Sequence, residues 1–167
     1  QRIYKIEKGT TTANVIFSRP RAFSILGLAF EPPNTLYAAS HFNDTIYKFS
    51  TDGSNLIAIQ PTSGTAYGLT FWAGSLYATA ASQVYKSSDG GVNFILYTEN
   101  APSGAAGSAF DAVGNLFVVG SGNPGELYKV PVGGGTSSII PTNNIANGSY
   151  RDIAINSLGE IFYTDLI

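Results

Sequence analysis

Four short segments built on Tyr-Lys recur along the chain: "IYK" at 3–5 and 46–48, "VYK" at 84–86 and "LYK" at 127–129. Their tyrosines stand 43, 38 and 43 residues apart. A period of that length has room for one supersecondary unit, so the chain is a series of copies and not one irregular domain. Three further elements run in phase. The first is "GLAF" (27–30), "GLTF" (68–71), "GSAF" (107–110) and "DIAI" (152–155). The second is "TLYAAS" (35–40), "SLYATA" (75–80), "NLFVVG" (115–120) and "EIFYTD" (160–165). The last and loosest is "NVIF" (14–17), "LIAI" (56–59), "FILY" (94–97) and "SSII" (137–140).

Each element is short, mostly rich in Val, Ile, Tyr and Phe, and bounded by Gly, Asn, Asp, Ser or Pro. Those are strands with turns between them. No window holds helical spacing over ten residues without a Gly or Pro, so helix is disfavoured. Four short strands every ~40 residues is the spacing of a β-propeller blade. The expected fold class is all-β, a propeller of four-stranded antiparallel blades. With strands lettered A (inner) to D (outer), the chain opens on C and D, runs A-B-C-D three times and closes on A and B. The expected division is one domain over 1–167, with a half-blade 1–20, blades 21–60, 61–101 and 102–141, and a half-blade 142–167. The two half-blades complement each other, which would remove the open sheet edges and make one composite blade. A closed four-bladed ring, an eight-bladed ring of two chains and a piece of a longer propeller all fit this order.

Composition narrows the functional classes. Charged residues are 12% of the 167, aromatics 13%, and the net charge is −2. Nine basic residues, four of them at one repeated position, argue against a nucleic-acid surface. There is no Cys, so disulfides and thiolate metal sites are excluded. The longest apolar run, "ILGLAF", is strand-sized and far short of the ~18 residues of a membrane span. The chain starts on Gln and holds no Met, which fits a processed or trimmed form. Low charge and two sequons, "NDT" (43–45) and "NGS" (147–149), lean toward an extracellular or periplasmic protein.

Here a resemblance becomes specific. "GLAFEPPNTLYAASHFNDTIYKFSTDG" (27–53) resembles the blades of NHL-type and gluconolactonase-type propellers. "SSDGGVNF" (87–94) resembles the Asp-box of sialidase-like propellers, S-x-D-x-G-x-x-[WF], with Ser87, Asp89, Gly91 and Phe94 at the matching places. "FSTDGSNLI" (49–57) is a diluted copy that keeps Ser50 and Asp52. Such a box lies between third and fourth strands, where Asp and Ser bond nearby backbone and Gly supplies positive φ. Asp89 is therefore read as a turn staple and not as a catalyst, with Phe94 packing as the first apolar residue of the outer strand.

Strand parity puts the D–A and B–C loops on one face, the top. All four arginines fall there or at its edge: Arg2, Arg19, Arg21 and Arg151. The arginine fork matches carboxylate geometry, so these are candidates for an anion pocket, weighed against solvated loop charges. The only histidine, His41, and the aromatics Phe23, Phe42, Tyr67 and Tyr150 are assigned to the same face. Ligand-binding candidates are thus Arg19, Arg21, His41, Tyr67, Tyr150, Arg151 and Asp152. A gluconolactonase-type cation site needs several oxygen ligands at the inner-strand entrances. Only Asp152 qualifies there, so no metal and no cofactor is expected. No complete sialidase constellation can be assigned either. The repeated lysines, Lys5, Lys48, Lys86 and Lys129, are expected as a solvated ring, and the tyrosines before them as packing between blades.

The expected function is a non-catalytic extracellular binding or assembly propeller, recognising a protein or glycan or its own copies, without nucleic acid or a membrane span. An arginine-bearing top against an acid-richer bottom raises head-to-tail stacking. The alternative is a propeller hydrolase or lyase acting on a sugar or lactone through His41, Arg151 and Asp152.

Overall fold

A computed structural model describes residues 1–18, 24–41, 43–61, 64–122, 125–142 and 149–165, and no helix occurs among them. The first strand pair is β1 (Arg2–Ile6) with β2 (Ala13–Ser18). Three antiparallel sheets of four strands follow. They are β3 (Ile25–Glu31), β4 (Thr35–Ser40), β5 (Thr45–Ser50) and β6 (Ile57–Ile59); β7 (Gly68–Trp72), β8 (Ser75–Ala80), β9 (Gln83–Ser87) and β10 (Ile95–Thr98); and β11 (Ala105–Phe110), β12 (Leu116–Gly120), β13 (Glu126–Val130) and β14 (Ser138–Ile140). A last pair, β15 (Tyr150–Ile155) with β16 (Ile161–Asp165), ends the series.

The period-2 pattern explains how the sheets stack. In β4, Tyr37 and Ala39 face the following sheet, while Leu36 and Ala38 face the preceding pair. Both faces are apolar because both are covered. Four cores result, one at each junction. Ile3 and Phe17 meet Ala38, Tyr47 and Phe49. Tyr37 and Ile46 meet Leu69, Leu76 and Ala78. Tyr77 and Val84 meet Ala105, Leu116, Val118 and Val130. Phe117, Val119 and Leu127 meet Tyr150 and Ile153. Each fully buried large apolar side chain in these cores contributes about 1.5–3 kcal/mol. Trp72 extends the third core by stacking on Phe110, with ring centroids 4.7 Å apart.

The inner strands β3, β7, β11 and β15 come together at the hub. At Gly27 an added Cβ would strike the Tyr67 carbonyl, at Gly68 the Ala106 carbonyl and at Gly107 the backbone of Asp152. The repeated glycine is therefore a place where two inner strands meet backbone to backbone. Thr79 ties one such approach together: its hydroxyl accepts from the Gly68 N–H (2.8 Å) and donates to the Ala106 carbonyl (2.7 Å).

Two expectations are corrected. Among the described residues β1 pairs only with β2 and β15 only with β16, so the half-blades do not share a sheet and the ring is not closed. Three of the four repeated lysines do not form a solvated ring either. Lys48 lies over the Tyr37 ring, 5.4 Å from its centroid, and Lys86 and Lys129 lie over Tyr77 and Phe117 at 5.8 Å. The B–C register sets these three lysines directly opposite their aromatics, a cation–π rung in each sheet, while Lys5 pairs with Glu7 at 2.7 Å.

Candidate functional site

The starts of the inner strands enclose a cavity of about 460 Å³, within the range of small-molecule sites. Leu26–Leu28, Tyr67–Leu69 and Ala106–Ser108 form most of the wall, and Arg151 and Asp152 close one side. Each wall segment comes from the same place in its repeat, so backbone and glycine dominate the lining. Asp152 takes the position held elsewhere by glycine, and it is exposed. Its carboxylate accepts from the Ile153 N–H at 2.9 Å, and its own N–H donates to the Thr164 hydroxyl at 3.0 Å. Beside it, Arg151 is exposed.

Of the sequence candidates, Tyr67, Arg151 and Asp152 thus share one cavity. His41 stands behind Tyr67, with ring centroids 4.6 Å apart, and is held by its backbone N–H to the Ser24 carbonyl at 2.8 Å. Tyr150 is buried in the core between the third sheet and the last pair, against Tyr163, and does not line the cavity. Arg2 lines a different groove, with Tyr4, Ile25 and Leu28. Arg19 and Arg21, like Phe23 and Phe42, lie outside the described residues. No group of three or more His, Asp or Glu able to hold a metal ion occurs among the described residues.

The turn between β9 and β10 behaves as a staple. The Ser87 hydroxyl donates to Asp89 (2.7 Å) and accepts from the Gly91 N–H (2.9 Å). Asp89 also accepts from the N–H groups of Val92 and Asn93 at 3.0 Å and from the Asn93 amide at 2.7 Å. Hydrogen bonds from the Asn93 backbone, the Ser87 hydroxyl and the Asn93 side chain hold its carboxyl down at about 2. Phe94 precedes the outer strand, which starts at Ile95, and packs half-buried against the core between the first two sheets.

The sequence reading missed a second family of staples, in the hairpins between inner and second strands. Asp111 accepts from the N–H groups of Val113 (3.1 Å) and Asn115 (2.8 Å), and Asn156 from those of Leu158 and Glu160 at 3.0 Å. The signal was available as D/N-x-x-G-N/E in "DAVGN" and "NSLGE". At Asp111 burial pushes the carboxyl up, but the bonds from Asn115, Val113 and Gly114 prevail and its pKa is lowered.

No family model matches the chain. No curated protein matches it either. Solved structures do. A chain of the nidogen/laminin complex matches with a TM-score of 0.81 at 17% identity, over 97% of this chain and 65% of that one. Streptogramin B lyase matches with a TM-score of 0.71 at 19% identity, over 89% of this chain and 50% of the lyase. The fold is a β-propeller. An inactive variant of the virginiamycin B lyase of Staphylococcus aureus, solved with quinupristin, matches at 0.69 and 15% identity, over 87% of this chain and 50% of that one. At such identities the likeness shows fold alone. The chain spans half to about two thirds of these propellers. No helix among its described residues is long and apolar enough to cross a membrane.

Proposed function

We propose that this propeller is a non-catalytic recognition domain, working in an extracellular or periplasmic setting, that takes a polar group of a protein or glycan into its axial cavity. The observation that carries the reading is the convergence of Arg151, Asp152 and Tyr67 on a wall otherwise made of backbone, Gly and Leu. A guanidinium, a carboxylate and a ring face are recognition chemistry, suited to carboxylates, hydroxyls and sugar faces. The match to a propeller solved in a nidogen/laminin complex supports binding as a use of this fold. Glycan and peptide arrays, followed by calorimetry on any hit, test it. Arg151→Ala and Tyr67→Ala should each weaken the hit about tenfold or more. Binding that ignores both substitutions rejects the cavity as the site.

One observation favours a second reading, a lyase or hydrolase acting on a lactone or sugar. The only histidine, His41, stacks on a residue of the cavity wall, and lyases are among the structural matches. Turnover of a streptogramin B or a sugar lactone should then vanish in a His41→Ala, Asp152→Ala double variant. Turnover that survives it removes these residues from the chemistry.

A further inference from the structure

The repeats allow unpaired surfaces to be compared with their counterparts inside the arc, and at three positions the counterpart is covered. Phe162 of β16 is 57% exposed, whereas Phe117, at the same place in β12, is 7% exposed. Tyr4 of β1 is 54% exposed against 6% for Tyr47. Leu28 of β3 is 50% exposed against 8% for Leu69. Gly9 belongs to the same series. The glycines of the later C–D turns abut the outer strand of the preceding sheet: Gly53 meets Ile16, Gly91 meets Ile59 and Gly134 meets Tyr97. Gly9, also at positive φ, has open space.

These surfaces are two halves of one junction. The free edge of β1 and the exposed face of β3 bound a groove of about 390 Å³, lined by Gln1–Tyr4, Ile25, Leu26 and Leu28. That groove is where a second strand would lie in a complete blade. At the other end of the arc, β16 is a second strand with no third strand beside it among the described residues. The register of the complete sheets dictates how the two would meet. Tyr37 opposite Lys48, Tyr77 opposite Lys86 and Phe117 opposite Lys129 translate to Phe162 opposite Lys5. Tyr163 then falls opposite Tyr4, and Asp165 opposite Arg2, a pair of opposite charge. Lys5, now 2.7 Å from Glu7, would complete the fourth lysine–aromatic rung.

We propose that β16 of one copy of this chain adds to β1 of a second copy in that register, making a composite blade across a head-to-tail junction. The second copy is the occupant because the register pairs Asp165 with Arg2 and Phe162 with Lys5, while the β15–β16 pair of the same chain packs on the third sheet. Strand addition satisfies the open backbone edges of both strands. It also places the Phe162 face on Leu28 and Phe30, and Tyr4 on Leu127 and Ile140, as Tyr47 sits on Ile3 and Phe17. This deepens the assembly side of the proposed function, and its failure would leave ligand binding at the cavity untouched.

The absence of cysteine makes the test clean. Adjacent antiparallel pairs alternate between bonded and non-bonded geometry, and the non-bonded one suits a disulfide. One of the double variants Tyr4→Cys, Tyr163→Cys and Lys5→Cys, Phe162→Cys should therefore oxidise to products of two or more chains on a non-reducing gel. Unmodified chain should show the mass of two or more copies in sedimentation at micromolar concentration. Phe162→Asp should weaken that association on the order of thirtyfold, while melting of the dilute monomer stays unchanged because the ring is exposed there. A disulfide that closes within one chain, no disulfide in either variant, a monomer at every concentration, or a Phe162→Asp chain that associates as before would each overturn the junction.

Discussion

The turns β5–β6 and β9–β10 occupy the same place in adjacent repeats and are built differently. In the β9–β10 turn a buried Ser87 and an exposed Asp89 gather the backbone of Gly91, Val92 and Asn93. In the β5–β6 turn Asp52 reaches only Ser54, through its N–H at 2.9 Å and its hydroxyl at 2.7 Å, and Ser50 accepts from the Asn55 amide at 3.0 Å. Their glycines differ in the opposite sense. A Cβ added at Gly53, at φ 87°, would strike the backbone carbonyl of Ile16, while one added at Gly91, at φ 93°, would meet the flexible tip of Ile59. One turn is held mainly by side-chain bonds and the other by tight approach to its neighbour. The shared requirement is a glycine that lets the turn lie on the preceding sheet, and the serine–aspartate network is a local way of holding it.

The largest effect should separate the glycines. Gly53→Ala adds left-handed strain and a clash with backbone, and should cost about 3 kcal/mol or more in denaturant unfolding. Gly91→Ala meets a side-chain end that can move and should cost about 1–2 kcal/mol. Equal losses would break the comparison. Next come the serines. Ser87→Ala leaves the Gly91 N–H without its acceptor in a buried place and should cost about 1–2 kcal/mol. Ser50→Ala, at an exposed bond, should stay within about 0.5 kcal/mol.

The smallest effect is in pH. The Asp89 carboxyl is held at about 2, below its ordinary value, so it favours the fold most above that ordinary value. Its contribution is lost as pH falls toward about 2, because the unfolded chain takes up the proton first. The gap in Tm between the native chain and Asp89→Asn should therefore narrow from pH 6 to pH 2.5. Asp52 is lowered too, by its bonds from Ser54, and its Asn variant should show the weaker form of the same trend. A constant gap at Asp89 would contradict the hydrogen-bond explanation of its pKa.

Much of the fold was legible because it is repeated. A tyrosine at the same phase in each unit locates the third strand, and Gly-x-x-Phe locates the inner one. What the glycine touches was not legible, since Gly27 and Gly9 look alike in a string of letters and differ in whether a neighbouring strand stands over them. The site was legible in part. Tyr67, Arg151 and Asp152 share the cavity because strand order alone puts inner-strand starts around an axis. Tyr150 lies in a core and not on the cavity wall, because its period-2 position turns it into a junction that only the last sheet contact creates. Three of the repeated lysines differ from expectation for a related reason: cross-strand register, not sequence phase, sets Lys48, Lys86 and Lys129 over aromatic rings.

By itself, the amino-acid order determined the repeated unit: a four-strand sheet with turns stapled by short polar side chains, because alternation and turn chemistry act over a few residues. Only the tertiary structure decided how those units sit around the axis and which faces are covered. Those outcomes depend on backbone approaches between residues about forty positions apart, such as Gly68 against Ala106, which no local pattern records.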